Sequence, residues 1–286
     1  MRLIKRSFHP KPANRLSAMI VVGLALLILG NPSLSAAPEA SPEPITPKAV
    51  RVEPEQLNQL IAALPEATQS TIRQNPVAFL TLIRKSLAET SDLVILVDKE
   101  HYLDSHYAPS DLVNLDTISG SFVRNRHGLQ LRLPAANALA TMAAAAKKDR
   151  VTLDVSSCYR SFATQVAVFG QEVKDYGQQQ AERESARAGA SQHQLGTAID
   201  FGSITPSFAN TAAGKWLALH AWQFGYSLSY PEGYEPFTGY LYEAWHYRFV
   251  GIYAAQLIHD YFGDLQQAGL LFLHNQNQTL RTLLAL

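Results

Sequence analysis

The sequence of 286 residues has one cysteine, no formal net charge and no Gly-x-Ser-x-Gly motif. A single cysteine, Cys158, permits neither an internal disulfide nor a cysteine-rich zinc site, so any bound metal must be held by His, Asp and Glu. The balanced charge and the lack of a long basic tract in the body of the chain argue against nucleic acid as a partner, and no phosphate-binding glycine loop is present. The missing serine motif argues against a serine hydrolase of the nucleophile-elbow type.

The chain begins with a basic segment followed by the apolar run AMIVVGLALLIL and a stretch of small residues. This order is typical of a secretory signal peptide. A membrane-spanning helix needs ~20 apolar residues, and this run is shorter. We therefore expect residues 1–36 to be a signal peptide or a retained N-terminal anchor. We expect the protein to be exported to the periplasm, the cell wall or the extracellular space. It would contact a membrane only through residues 1–36, if this segment is retained.

Composition divides the remainder into three parts. Residues 37–54 are proline-rich without an apolar period and are predicted to be an extended linker. Residues 55–90 have helical periodicity, interrupted at Pro65 and Pro76, and are predicted to be a helical leader. Residues 91–286 are predicted to be the catalytic domain with a C-terminal helical extension. The sequence does not indicate whether the leader docks on this domain, nor what the oligomeric state is.

Short strand-like runs alternate with helical patterns in the main domain. The predicted strands are 93–97, 151–157, 196–201, 226–231 and 242–250. The predicted helices are 131–150, 161–189, 211–225 and the segment from 251 onward. Few strands and long connections favour an α+β fold with a small, mainly antiparallel sheet flanked by helices, preceded by the helical leader.

The stretch SQHQLGTAIDF contains two candidate metal ligands, His193 and Asp200. Gly196 and the β-branched residues after it favour a loop that carries the histidine and a strand that carries the aspartate. Since a catalytic zinc needs three protein ligands and an open position for water, His246 in YEAWHYRFV is the candidate third ligand. A lone histidine is more often a core or surface residue than a metal ligand. The prediction therefore depends on the occurrence of His193, Asp200 and His246 together.

Two further charged residues are candidates for chemistry. Glu243 precedes His246 by three residues, and a bulge or tight turn between them would let both reach one site. A carboxylate there could act as the general base for an attacking water. Arg160, between a predicted strand and helix, could pair with a substrate carboxylate or with an oxyanion. Separately, each also has an ordinary structural explanation as a solvated or paired charge.

Three motifs occur in order along the chain: S-x-Y-R-S, S-x-H-x-x-G-x-A-x-D and E-x-W-H. Together they resemble the zinc D-alanyl-D-alanine carboxypeptidases of the VanY type, and the resemblance covers about residues 91–255. It implies one Zn²⁺ per chain, with the ligands His193, Asp200 and His246. It also implies roles for four more residues: Glu243 as catalytic base, Arg160 as stabiliser of negative charge, and Ser191 and Gln165 in or near the substrate cleft.

The function expected from this resemblance is an exported zinc carboxypeptidase that removes the C-terminal D-amino acid from peptidoglycan stem peptides. Alternatives that stay open are an L,D-carboxypeptidase, a peptidoglycan endopeptidase and a non-catalytic zinc-containing cell-wall binding module. The chain also departs from the family pattern. Gln192 stands where a glutamate is frequent, and Cys158 stands where a glycine is usual. These departures affect the expected substrate preference more than the expected activity.

Overall fold

The computed structural model of the protein describes residues 52–89 and 92–286. The expected signal or anchor and most of the linker lie outside the described residues. The helices are α1 (Pro54–Ile61), α2 (Glu66–Gln74), α3 (Pro76–Glu89), α4 (Leu133–Lys148), α5 (Phe162–Tyr176), α6 (Gln178–Glu184), α7 (Ala212–His220), α8 (Glu235–Thr238), α9 (Ile252–Phe262), α10 (Gln266–Asn275) and α11 (Asn277–Leu284). None of the described helices is long and apolar enough to cross a bilayer.

In the part of the chain that the structure describes, seven short strands form two sheets. They are β1 (Leu112–Asn114), β2 (Val123–Arg124), β3 (Gln130–Arg132), β4 (Asp154–Ser157), β5 (Ala198–Phe201), β6 (Tyr226–Leu228) and β7 (His246–Phe249). The larger sheet has the order β2-β4-β5-β7-β6, in which only the β2–β4 pair is parallel. Strands β1 and β3 pair separately and antiparallel. The predicted α+β class with a small, mainly antiparallel sheet is therefore confirmed.

Among the described residues, two apolar clusters stabilise the fold. The first lies between the larger sheet and α4, whose buried face is made of alanines, Leu139 and Met142. The second joins the leader helices α1–α3 to the C-terminal helices α9–α11. Phe79 of α3 is fully buried there against the rings of Tyr261 and Phe272. The leader thus packs on the C-terminal helices, and Pro65 and Pro76 separate its three helices as predicted.

The prediction of a strand at 93–97 is wrong. This segment is largely buried but forms no strand: it begins in a turn and a bend and continues without regular secondary structure. The carbonyls of Leu93 and Ile95 accept hydrogen bonds from Nη2 of Arg248, at 2.8 and 2.7 Å. Because a buried guanidinium satisfies these carbonyls, the segment needs no neighbouring strand.

Several predicted elements are shorter than expected, and for two of them the structure shows the reason. The helix predicted over 161–189 begins as expected, with the Ser161 hydroxyl accepting from Thr164 N at 3.2 Å. It is then interrupted at Gly177, whose φ of +81° is incompatible with a continuous helix. The strand predicted over 242–250 begins only at His246, because a turn occupies the residues before it.

Candidate metal centre

Backbone pairing in the larger sheet places the candidate residues in one row. Ser157 of β4 lies opposite Asp200 of β5, which lies opposite His246 of β7. Directly paired residues project to the same face of a sheet. As a result His246 Nδ1 lies 3.0 Å from Asp200 Oδ1. Two residues that are 46 positions apart in the sequence are thereby brought into contact.

His193 approaches the same carboxylate from a 3-10 turn, Gln192–Leu195, that immediately precedes β5. Gly196 ends this turn with a φ of +68°, which allows the chain to reverse into the strand. His193 Nε2 is 3.1 Å from Asp200 Oδ2. Its Nδ1 donates to the Cys158 carbonyl at 2.6 Å, which leaves Nε2 without a proton in the neutral ring. A loop histidine and a strand aspartate were both predicted.

The three side chains fit a metal ion. One ligand atom from each of His193, Asp200 and His246 lies within 4.8 Å of the others, and all three residues are buried. Among the described residues no other group of three or more His, Cys, Asp or Glu meets these criteria. Two imidazoles and a carboxylate suit zinc, and a set of three leaves one position open.

The pKa shifts of Asp200 and His193 favour the protonation states that bind a metal ion. Burial tends to raise the pKa of Asp200, but the two histidines and their hydrogen bonds outweigh it and lower the pKa well below the ordinary value. Burial lowers the pKa of His193 despite the nearby Asp200 carboxylate. An ionised carboxylate and a neutral imidazole are the forms that bind a metal.

Glu243 is brought to the centre by a tight turn. His246 N donates to the Glu243 carbonyl at 3.1 Å, and Glu243 N donates to Tyr230 O at 3.0 Å. The turn places Glu243 Oε2 3.6 Å from His246 Nδ1, with the glutamate side chain only 12% exposed. Burial, reinforced by the Asp200 carboxylate and partly offset by Arg160, raises the pKa of Glu243 well above its usual range. The tight turn predicted between Glu243 and His246, which lets both side chains reach one site, is therefore present.

Arg160 lies between β4 and α5, on the same side as the row of paired residues. Its Nη2 donates to Ser157 Oγ at 3.2 Å and its Nη1 donates to Gln165 Oε1 at 2.9 Å. Gln165 in turn donates from Nε2 to the Ala186 carbonyl at 2.6 Å. Burial lowers the pKa of Arg160 and outweighs the attraction of Asp200 and Glu243. Gln165 therefore holds the guanidinium in place.

All seven sequence-predicted site residues line one cavity of about 260 Å³. Ser191 forms part of its wall and is buried. The cavity wall also contains Gln192, which departs from the family pattern, and Trp245 of the E-x-W-H motif. The remaining wall residues were not predicted to belong to the site: Val168, Glu172, Glu184, Ser185, Ala186, Ile204, Tyr230 and Tyr240. The aromatic pair Tyr230 and Tyr240 comes from the segment between β6 and β7, where no local pattern distinguishes wall residues from core residues.

Gln266 was also missed. It is 1% exposed, and its side-chain amide contacts Gln192 beside the candidate ligands. It belongs to the C-terminal helical extension, where a single glutamine carries no local signal of a role in a distant site.

Comparison with known proteins gives consistent results. The family model described as VanY, D-alanyl-D-alanine carboxypeptidase, matches residues 128–252. A putative carboxypeptidase, YodJ, of Bacillus subtilis is 37% identical over 62% of this chain and 66% of its own length. A D-alanyl-D-alanine carboxypeptidase of Enterococcus faecium is 28% identical over 56% of this chain and 51% of its own. The chain thus spans about half to two thirds of these curated relatives.

Two solved structures extend the comparison. The LdcB LD-carboxypeptidase matches with a TM-score of 0.56 and 37% identity, over 62% of this chain and 85% of that one. The D,D-pentapeptidase VanY of a VanB-type resistance cassette, solved with Zn(II), matches with a TM-score of 0.53 and 28% identity, over 63% of this chain and 99% of that one. On the strength of the family match and of these similarities, the chain belongs to the VanY family of zinc carboxypeptidases.

Proposed function

We propose that this protein is an exported zinc carboxypeptidase that removes the C-terminal D-amino acid, D-Ala, from peptidoglycan stem peptides. The observation that carries the proposal is the buried His193–Asp200–His246 cluster with the Glu243 carboxylate beside it. The relatives support the substrate class, since the LdcB structure concerns peptidoglycan recognition and VanYB was solved with D-alanine-D-alanine.

The metal would be held by His193 Nε2, the Asp200 carboxylate and His246 Nδ1, the atoms that face one another. A zinc ion bound there supplies Lewis-acid activation of water and polarisation of the scissile carbonyl. Asp200 ionises readily in this setting and contributes the negative charge of the ligand set.

Glu243 serves as the general base and then as the general acid. Its carboxylate accepts a proton from the attacking water and passes it to the leaving amine as the C–N bond breaks. A raised pKa favours this double role, since the carboxylate must bind the proton before releasing it. The tight turn to His246 keeps the carboxylate next to the ligands during both transfers.

Arg160 stabilises negative charge in the same cavity. Its guanidinium reaches either the free carboxylate of the peptide or the oxyanion that forms when water adds to the carbonyl. Its hydrogen bonds to Gln165 and Ser157 fix its position before substrate arrives. Ser191 and Gln165 would line the substrate path.

Cleavage of an L,D bond is the second candidate. The identity to the LdcB LD-carboxypeptidase, 37%, exceeds the 28% identity to the VanY D,D-pentapeptidase. Incubation of the exported chain with defined tetra- and pentapeptide stems, with products identified by mass, separates the two. Loss of D-Ala from the pentapeptide alone supports D,D-cleavage, and loss from the tetrapeptide alone supports L,D-cleavage. Stems left intact, or cut only internally, contradict the proposal.

Metal analysis tests the zinc centre directly. The purified chain should contain about one zinc, and His246→Ala should lose it. A metal-free chain that cleaves stems at full rate would contradict the mechanism.

Export is proposed from the pattern of residues 1–36. Fractionation of cells that produce the full chain tests it, and cytoplasmic retention would refute it.

A further inference from the structure

A chain of buried side-chain amides connects His246 to the C-terminal helix α10. His246 Nε2 lies 3.2 Å from Gln192 Oε1. Gln192 Nε2 donates to Gln266 Oε1 at 3.2 Å, and Gln266 Nε2 donates to the Ser227 carbonyl at 2.9 Å. Gln192, Gln266 and His246 are 6%, 1% and 4% exposed, so bulk water has little access to these groups.

The direction of this chain is determined at its far end. A backbone carbonyl can only accept, so the NH₂ group of Gln266 must face Ser227 and its oxygen must face Gln192. Gln192 then presents its NH₂ group to Gln266 and its oxygen to His246. The Ser229 hydroxyl donates to the same oxygen at 2.7 Å. An oxygen that faces His246 requires the proton on Nε2, which leaves Nδ1 free to face Asp200.

We propose that Gln266 is a positioning residue of the metal centre. Acting through Gln192, it holds the His246 ring in the tautomer and orientation in which Nδ1 can bind the metal. This inference rests on the proposed zinc site. Partners of this kind orient ligating histidines, and their loss commonly weakens metal binding ~10–100-fold. Gln266 lies outside residues 128–252, which match the family, so the C-terminal extension contributes to the centre.

The hydrogen bond between Gln192 and Gln266 requires an amide N–H at position 192 and an acceptor oxygen at position 266. A glutamate at position 192 would have no N–H for Gln266 Oε1. If Gln266 rotated its amide to compensate, its oxygen would face the Ser227 carbonyl instead. Gln192 is therefore the residue that this particular extension requires, which accounts for its departure from the frequent glutamate.

The test measures the zinc affinity of the full chain by competition with a chelator. Gln192→Met should weaken it ~10–100-fold and Gln266→Met ~10-fold. The double variant should be no weaker than Gln192→Met alone, because Gln266 acts only through Gln192. Gln267→Met is the matched control on α10, since Gln267 contacts Asp98 at 3.3 Å and not the ligands. It should leave the affinity unchanged.

Nitrogen-15 NMR of the zinc-loaded chain gives a second readout. The His246 Nε2 proton should exchange slowly with water in the wild type and in Gln267→Met, and faster in Gln266→Met. A proton on Nδ1 in the wild type overturns the inference. So do losses of affinity that multiply in the double variant, or a Gln266→Met chain that behaves like the control. A wild type that binds no zinc contradicts the proposed function itself.

Discussion

At the residue scale, burial determines how the titratable groups of the centre behave. Glu243 and Asp200 are both nearly buried acids, yet their pKa values move in opposite directions. Asp200 has two histidine partners that favour its charged form. Glu243 has an anionic neighbour, and the attraction of Arg160 only partly offsets its loss of water. These opposite shifts suit the roles proposed for the two carboxylates, Asp200 as a metal ligand and Glu243 as a proton carrier.

The role of Glu243 can be tested by removing its proton-accepting group. Glu243→Gln keeps the size of the side chain and should lower kcat ~10²–10⁴-fold, with little change in KM. Zinc content should be retained because Glu243 is not in the proposed ligand set. Glu232→Gln, an exposed change in the same connecting segment, is the matched control. Peptide hydrolysis at the wild-type rate would remove Glu243 from the mechanism.

Cys158 is a buried thiol at the end of β4, fully shielded from solvent. Burial, with a smaller contribution from Asp200, raises the pKa of this thiol well above its ordinary value. Because the thiolate is the reactive form, Cys158 should react with a disulfide reagent only after unfolding. The absorbance of the released thiol in native buffer and in denaturant measures this. Rapid native reaction would show that the thiol is accessible.

At the element scale, the turn that leads into β5 requires a glycine at position 196. A Cβ atom added at position 196 would lie 2.8 Å from Leu112 Cδ2. The residue that carries it would also have to adopt a positive φ. Gly196→Ala should therefore reduce the free energy of unfolding by about 1–3 kcal/mol and weaken zinc binding, since it displaces His193. Urea titration and chelator competition measure the two effects.

Gly170 in α5 is the control for this substitution. It has no positive φ, and no atom lies within 4 Å of an added Cβ. Gly170→Ala should leave zinc binding unchanged and stabilise the chain by about 0.5–1 kcal/mol, because alanine is the better helix former. Equal effects of the two substitutions would show that the turn at Gly196 is not constrained.

The elements were predicted unevenly, for identifiable reasons. Helix starts and breaks at Ser161, Pro65 and Pro76 depend on local chemistry and were correct. The segment 93–97 has the composition of a buried strand, but its carbonyls bond to Arg248. That partner lies more than 150 residues away. Local composition therefore cannot distinguish a paired strand from a buried segment whose carbonyls bond to a distant side chain.

At the scale of the whole molecule, the leader belongs to the folded body. Phe79 is fully buried between Tyr261 and Phe272. Phe79→Ala should lower the free energy of unfolding by about 3–5 kcal/mol, since it removes an aromatic ring and leaves a cavity. Val77→Ala, at a position 55% exposed on the same helix, should have little effect. Urea unfolding curves compare the two, and a Phe79→Ala chain of wild-type stability would mean that the leader is dispensable.

The residue types and spacings of the centre, the proline breaks of the leader and the α+β class could all be predicted from the amino-acid sequence. These follow from local chemistry and from motifs that span a few residues each. The register that places Ser157, Asp200 and His246 in one row became visible only in the folded chain. The docking of the leader and the contact of Gln266 with Gln192 were likewise not predictable from the sequence. Such pairings join residues that are distant in the chain, so they depend on how the elements pack.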